Sequence, residues 1–199
     1  MLTSWQYGAY HDNPVNIAIH VTCVPIILLT AIALGTNTGP LLPLPEWATI
    51  PHLGPNLGTI ACLTYSALYI LLEPVAGTAL SVLLLLGTAA SDYLVGEYGM
   101  TANKWAIGAH VFSWIAQFVG HGKFEGRAPA LLDNLFQAIF LAPLFVWLET
   151  LFALGYRPEL QARVDKMVQQ DIAKFRAERD AKKLNGSANG HANGHAKTS

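Results

Sequence analysis

This sequence predicts an all-helical fold, an integral membrane bundle with a polar site between its helices, and three observations carry that reading. Hydrophobic residues make up 52% of the 199-residue chain and charged residues 13%, against roughly 25% charged in an ordinary soluble domain. Long apolar runs recur along the chain, and no stretch alternates apolar and polar residues as a half-buried strand would. Histidines and amides sit inside or beside those runs, where lipid makes them expensive.

The runs fall at Val15–Leu34, Leu57–Leu72, Val75–Val95, Trp105–Val119 and Ala130–Leu154. A helix needs about 20 apolar residues to cross the hydrocarbon layer. The first, third and fifth runs reach that length and the second is marginal. Trp105–Val119 is short and carries His110 and Gln117, so it reads as a buried helix lining a site. Asn13-Pro14 predicts a helix start, with the amide as cap and proline in the first turn. Pro25 should kink that helix. Five prolines at 40, 43, 45, 51 and 55 make Gly35–Pro55 a loop. Glu73-Pro74 predicts a tight turn that folds the second and third runs into a hairpin, and Pro129 should start the last long helix. MLTSWQYGAYHDN is polar and lacks an apolar core, so no cleavable signal peptide is expected and insertion relies on internal segments.

Composition divides the chain into a membrane-embedded helical domain over 1–155, a solvated amphipathic helix over 156–184 and a low-complexity tail over 185–199. Eight of the twelve Lys/Arg residues lie between Arg157 and Lys183, a distribution that fits the positive-inside tendency if that end is cytosolic. The formal net charge of −1 gives no reason to expect nucleic-acid binding. Cys23 and Cys62 lie in apolar runs and read as small core residues rather than a disulfide. Protein partners leave no signal.

Of the seven histidines, His191 and His195 belong to the tail and His52 to the proline-rich loop. The other four form two pairs with one layout. His20 and His110 are embedded in apolar helices, while His11 precedes the Asn13 cap and His121 follows the Trp105–Val119 run. A lone buried histidine is more often a core residue bonded to a carbonyl, but two such pairs point toward a metal. On one straight helix His110 and His121 would share a face but lie about 16 Å apart, whereas imidazole–metal bonds are about 2 Å. Gly120 and Gly122 predict that the helix ends there and the chain folds back. Four imidazoles then meet around one metal, or two pairs hold separate metals. Imidazole suits iron, zinc, copper or nickel alike, and binding requires the neutral ring, so acid should release the ion. Asp12, Glu125 and Asp133 stand ready to orient the rings, or simply to favour nearby helix starts.

Two stretches carry a family resemblance. YGAYHDNPVNIAIHVTCVP and SWIAQFVGHGKFEGRAPALLDNLFQAIFLAPLFVWLETLFALGYRP resemble the two long motifs of the membrane-embedded 2-hydroxy fatty acid dioxygenases, which act in the endoplasmic reticulum in phytosphingosine breakdown. The resemblance spans Tyr7 to Pro158 and is carried between the motifs by hydropathy alone. It implies an Fe(II) enzyme that takes a long-chain 2-hydroxy fatty acid and O₂ to the acid one carbon shorter plus CO₂. It maps the motif histidines onto His11, His20, His110 and His121 as iron ligands in a multi-pass endoplasmic reticulum membrane protein. Lys123 and Arg127 would then attract the substrate carboxylate, Arg127 by bidentate pairing, or anchor the chain at the membrane interface. Tyr10, Asn16, Gln117 and Asn134 would hydrogen-bond substrate or oxygen, or bridge helices. The acyl chain would lie against Phe118, Leu135 and Phe136 or run out into lipid.

Two readings compete. A membrane cytochrome would use His20 and His110 as axial haem ligands, and a non-enzymatic membrane protein would use the histidines structurally. A desaturase or hydroxylase is disfavoured because no His-x-x-His-His box occurs.

Overall fold

The computed structural model describes residues 13–125, 137–170 and 173. Among these residues every regular element is helical: α1 (Pro14–Thr36), α2 (Leu57–Leu72), α3 (Pro74–Tyr98), α4 (Met100–Val119) and α5 (Ala142–Ala153), followed by α6 (Pro158–Gln170). π-helical segments cover Gly120–Glu125 and Gln137–Leu141, and a short 3-10 turn covers Glu46–Ala48 in the proline-rich loop.

The expected punctuation appears. Asn13 caps α1, its side-chain oxygen accepting from the Val15 N–H at 2.9 Å, and Pro14 occupies the first turn. Helix α1 continues through Pro25 as one element. Asn56 caps α2 by accepting from the Thr59 N–H. Glu73 is the single residue between α2 and α3, and that hairpin closes tightly because Gly77 lets the Tyr69 carbonyl lie where a Cβ would be. Gly35 and Gly58 do the same between α1 and α2, backbone against backbone. Lipid offers no hydrophobic drive for helix association, so close approach at small residues supplies the packing.

Helices α1 to α4 run alternately up and down. One end of the bundle therefore gathers Asn13, the Glu73-Pro74 turn and Gly120; the other gathers the 37–56 loop and the Gly99 turn. Leu28, Ile32, Cys62, Tyr65, Tyr69, Leu84 and Leu144 form the core. Helices α1 and α3 are long and apolar enough to cross a membrane, and the last helices supply a third such span if α5 and α6, bent by 120°, count as one. Large apolar side chains point outward, Leu71 at 82% and Phe112 at 69% exposure, as suits a lipid-facing surface.

The chain departs from expectation at three places. Helix α4 is not the buried helix expected over Trp105–Val119: only Ser113 and Gln117 are enclosed, and Trp105, Phe112 and Ile115 are exposed. No reversal occurs at Gly120–Gly122. Gly120 is right-handed helical (φ −54, ψ −55) and the helix passes straight into a π turn ending at Glu125. Glycine permits a helix end without forcing one, and its missing Cβ is used here for packing. The last long helix also has a different internal build. Its expected start, Pro129, lies outside the described residues, and α-helical geometry begins only at Ala142, after π turns. Pro143 has no N–H for the Ile139 carbonyl, and the Tyr65 hydroxyl donates to that oxygen at 3.1 Å instead. At the exit of α5, Tyr156 Oη and Arg157 Nη1 both donate to Glu73 Oε1 at 3.0 Å. This ties the last core helix to the α2–α3 turn. Beyond it, α6 turns Leu160, Val164 and Val168 partly inward and charged residues outward, an amphipathic pattern.

Candidate functional site

Seven residues into α1, about 10 Å from its cap, His20 meets His121 from the first π segment. Their ring centroids are 4.8 Å apart and edge to face, with planes at 79°. Both are buried, at 4% and 3% exposure. Rings this close can reach one ion through bonds of about 2 Å. The local backbone explains the meeting. α1 and the π segment touch at Gly120, where a Cβ would collide with the Asn16 side chain. The wide π turn then brings His121 onto the face that α4 presents to α1. Single π turns inside longer helices often mark functional sites.

His20 is held in one tautomer. Its Nδ1 lies 2.9 Å from the Asn16 carbonyl, which can only accept. Nδ1 therefore carries the hydrogen and Nε2 the lone pair. A metal-binding imidazole is usually oriented this way, through its other nitrogen. Gln117 hydrogen-bonds the same ring and is buried. Asn16, wholly enclosed, supports the ring through its backbone and packs its amide on Gly120. The donor chemistry fits a metal held by imidazoles, with His20 and His121 as two of its ligands. Among the described residues no third His, Cys, Asp or Glu joins them.

His110 is elsewhere. Its Nδ1 lies 2.8 Å from Thr30 Oγ1, and Trp114 Nε1 donates to its Nε2 at 3.0 Å. Thr30 is ten residues beyond His20 on α1, about 15 Å along the axis. His110 and His121 also stay on one helical path, so the separation calculated for a straight helix persists. A haem with His20 and His110 as axial ligands does not fit this spacing. His52 lies in the loop as expected, 3.5 Å from Asp92, with its ring edge on Tyr93.

Lys123 is exposed at the site's end, its ammonium 5.8 Å from the Phe124 ring centre. His11, Tyr10, Asp12, Arg127, Asp133 and Asn134 lie outside the described residues, as do the Glu125 side chain and the tail histidines. Thr30 and Trp114 were not singled out from the sequence. A seven-residue polar spacing on α1 and the four-residue step from His110 to Trp114 could have revealed them.

Fold and site together define a membrane-associated helical protein with a buried histidine pair near one end of its bundle. Residues 3–154 match the family described as 2-hydroxy-palmitic acid dioxygenase Mpo1-like, and the chain belongs to that family. It is 37% identical over 159 residues to the 2-hydroxy-palmitic acid dioxygenase MPO1 of Saccharomyces cerevisiae, covering 80% of this chain and 83% of that relative. No solved structure matches the chain.

Proposed function

We propose that this protein is a non-haem Fe(II) dioxygenase that converts a long-chain 2-hydroxy fatty acid and O₂ to the fatty acid one carbon shorter, CO₂ and water. The reaction balances without added reductant: two carbons of the hydroxy acid become the new carboxyl group and CO₂. The observation that carries the reading is the buried His20–His121 contact, in a chain whose family is described by that substrate class. The proposed ligands are His20, His121 and His11. Bound Fe(II) would supply O₂ activation and open positions for the substrate's carboxylate and 2-hydroxyl.

The chain's own residues do the rest. The Asn16 carbonyl takes the hydrogen of His20 Nδ1, which puts the ring's lone pair on Nε2, and Gln117 hydrogen-bonds the same ring. The tight Asn16–Gly120 contact sets where His121 stands against it. Lys123, at the wet end, draws the carboxylate in, and Arg127 is proposed to pair with it in two-point fashion. Phe118, 48% exposed on α4, offers the acyl chain an apolar surface that continues into lipid, where such a substrate already partitions. An endoplasmic reticulum membrane location and a role in sphingoid-base breakdown belong to the same proposal.

The test is to incubate the purified full-length protein with Fe(II), air and 2-hydroxyhexadecanoic acid, then look for pentadecanoic acid and CO₂. The expected result is both products in equal amounts, with neither from His121→Ala. Absence of product from folded, iron-loaded protein would defeat the proposal, and a haem absorption band in the pure protein would favour a cytochrome instead.

A further inference from the structure

Among the described residues, helices α1 and α4 pack more extensively than any helix pair except the α2–α3 hairpin, and polar rungs cross their seam. At the loop end, Asn37 and Asn103 form a reciprocal amide pair, Nδ2 to Oδ1 at 2.9 Å one way and 2.8 Å the other. The next rung is Thr30 with His110, seven residues along each helix in opposite directions. Another seven residues along α4 stands Gln117, which reaches His20. His121 meets His20 beyond it. Such a heptad step keeps one seam facing its partner over several turns.

The Thr30–His110 rung is complete in itself. Trp114 Nε1 has a hydrogen to give, so His110 Nε2 accepts it. In the neutral ring the hydrogen then sits on Nδ1 and is donated to Thr30 Oγ1. The Thr30 hydroxyl hydrogen in turn goes to the Ile26 carbonyl at 2.6 Å. Each hydrogen in the chain has an acceptor, and the one lone pair of the neutral imidazole is taken by the Trp114 N–H.

We infer that His110 is a positioning residue rather than a ligand: its rung with Thr30 fixes the α1–α4 register that sets His20 opposite His121. Apolar helix surfaces in lipid slide past one another at little cost, because each register buries similar groups. A polar rung makes one register distinct, since slipping leaves donors unmatched in hydrocarbon. The inference rests on the proposed ligand role of His20 and His121, and it removes His110 from the set the sequence suggested.

The test uses purified full-length protein with Co(II) as a spectroscopic probe, reading bound metal per chain, apparent Kd and melting temperature. The variants are Thr30→Val, His110→Leu, their double, His110→Gln and His121→Ala. Thr30→Val removes only a hydroxyl and keeps the side chain's shape, so it reports even if His110→Leu folds poorly. Expected for Thr30→Val and for His110→Leu are a fall of about 2–4 °C in melting temperature and several-fold weaker Co(II) binding at unchanged stoichiometry. The double should be no worse than the worse single, because both break one rung. His110→Gln can still accept from Trp114 and donate to Thr30, and should restore Co(II) affinity, which an amide in place of a ligand would not. The inference is overturned if His110→Leu and His110→Gln both lose Co(II) as His121→Ala does while Thr30→Val is silent. It is equally overturned if neither rung variant changes affinity. Retention of Co(II) by His121→Ala would instead defeat the proposed ligand pair, and the melting cycle would still report on the rung.

Discussion

Gly120→Ala is the smallest change that should dismantle the site without touching a ligand. Asn16 Oδ1 and Ile19 Cδ1 occupy the space a Cβ would enter, the latter 3.3 Å away. Asn16 is fully enclosed, so its amide has little room to move aside. Relieving the overlap requires α1 and the first π segment to separate by about 1 Å, since close-packed interiors absorb little volume. Overpacking of this kind costs about 1–3 kcal/mol. Its functional effect should be larger, because it falls between His20 and His121, and a misplacement of about 1 Å can lower a rate about 100-fold. The assay is iron per chain together with the yield of shortened acid, measured beside the Gly120→Ala/Asn16→Ala double variant. The double vacates the contested space and should recover part of the iron binding. Normal iron content and rate in Gly120→Ala would refute the claim that this contact sets the site's geometry.

Other outcomes follow from single contacts. Tyr65→Phe strips the hydroxyl from the Ile139 carbonyl and should destabilise by about 1 kcal/mol, seen as a melting shift with iron content unchanged. Gly77→Leu forces a side chain onto the Tyr69 carbonyl and should open the α2–α3 hairpin, so that fold and yield fall together on size-exclusion chromatography. Asn13→Ala removes the α1 cap at about 1 kcal/mol; amide exchange should then rise in the first turn of α1 and remain slow past Cys23. On the proposed function, chelation of bound Fe(II) should lower the melting temperature and re-addition should restore it, because an ion bound only by the folded state adds its binding energy to stability.

Much of this fold was legible because lipid imposes blunt rules on sequence. Leu57–Leu72 is α2 to the residue, and Asn13-Pro14 and Glu73-Pro74 end and begin helices where caps and prolines dictate. The failures have a common cause: a local signal cannot report what a distant residue supplies. Gly120 looks like a helix end, yet it serves close packing against Asn16, so the backbone stays helical there. Pro143 interrupts the last apolar run, and nothing near it in sequence shows that the Tyr65 hydroxyl, from another helix, deals with the carbonyl it strands. Half of the histidine logic was readable in the same sense. Burial selected His20, and its position just past an apolar run selected His121; the two meet. Burial selected His110 equally, whose partner Thr30 is 80 residues away and gives no sequence signal as a partner unless the seven-residue spacing of α1 is set beside that of α4.

The central claim is that His20 and His121 bind one iron. X-ray absorption at the iron edge of anaerobically loaded protein tests it most directly. The account predicts imidazole nitrogens at about 2 Å, with one lost in His20→Ala and one in His121→Ala, and the full set kept in His110→Gln. An unchanged iron spectrum in both His20→Ala and His121→Ala would contradict it.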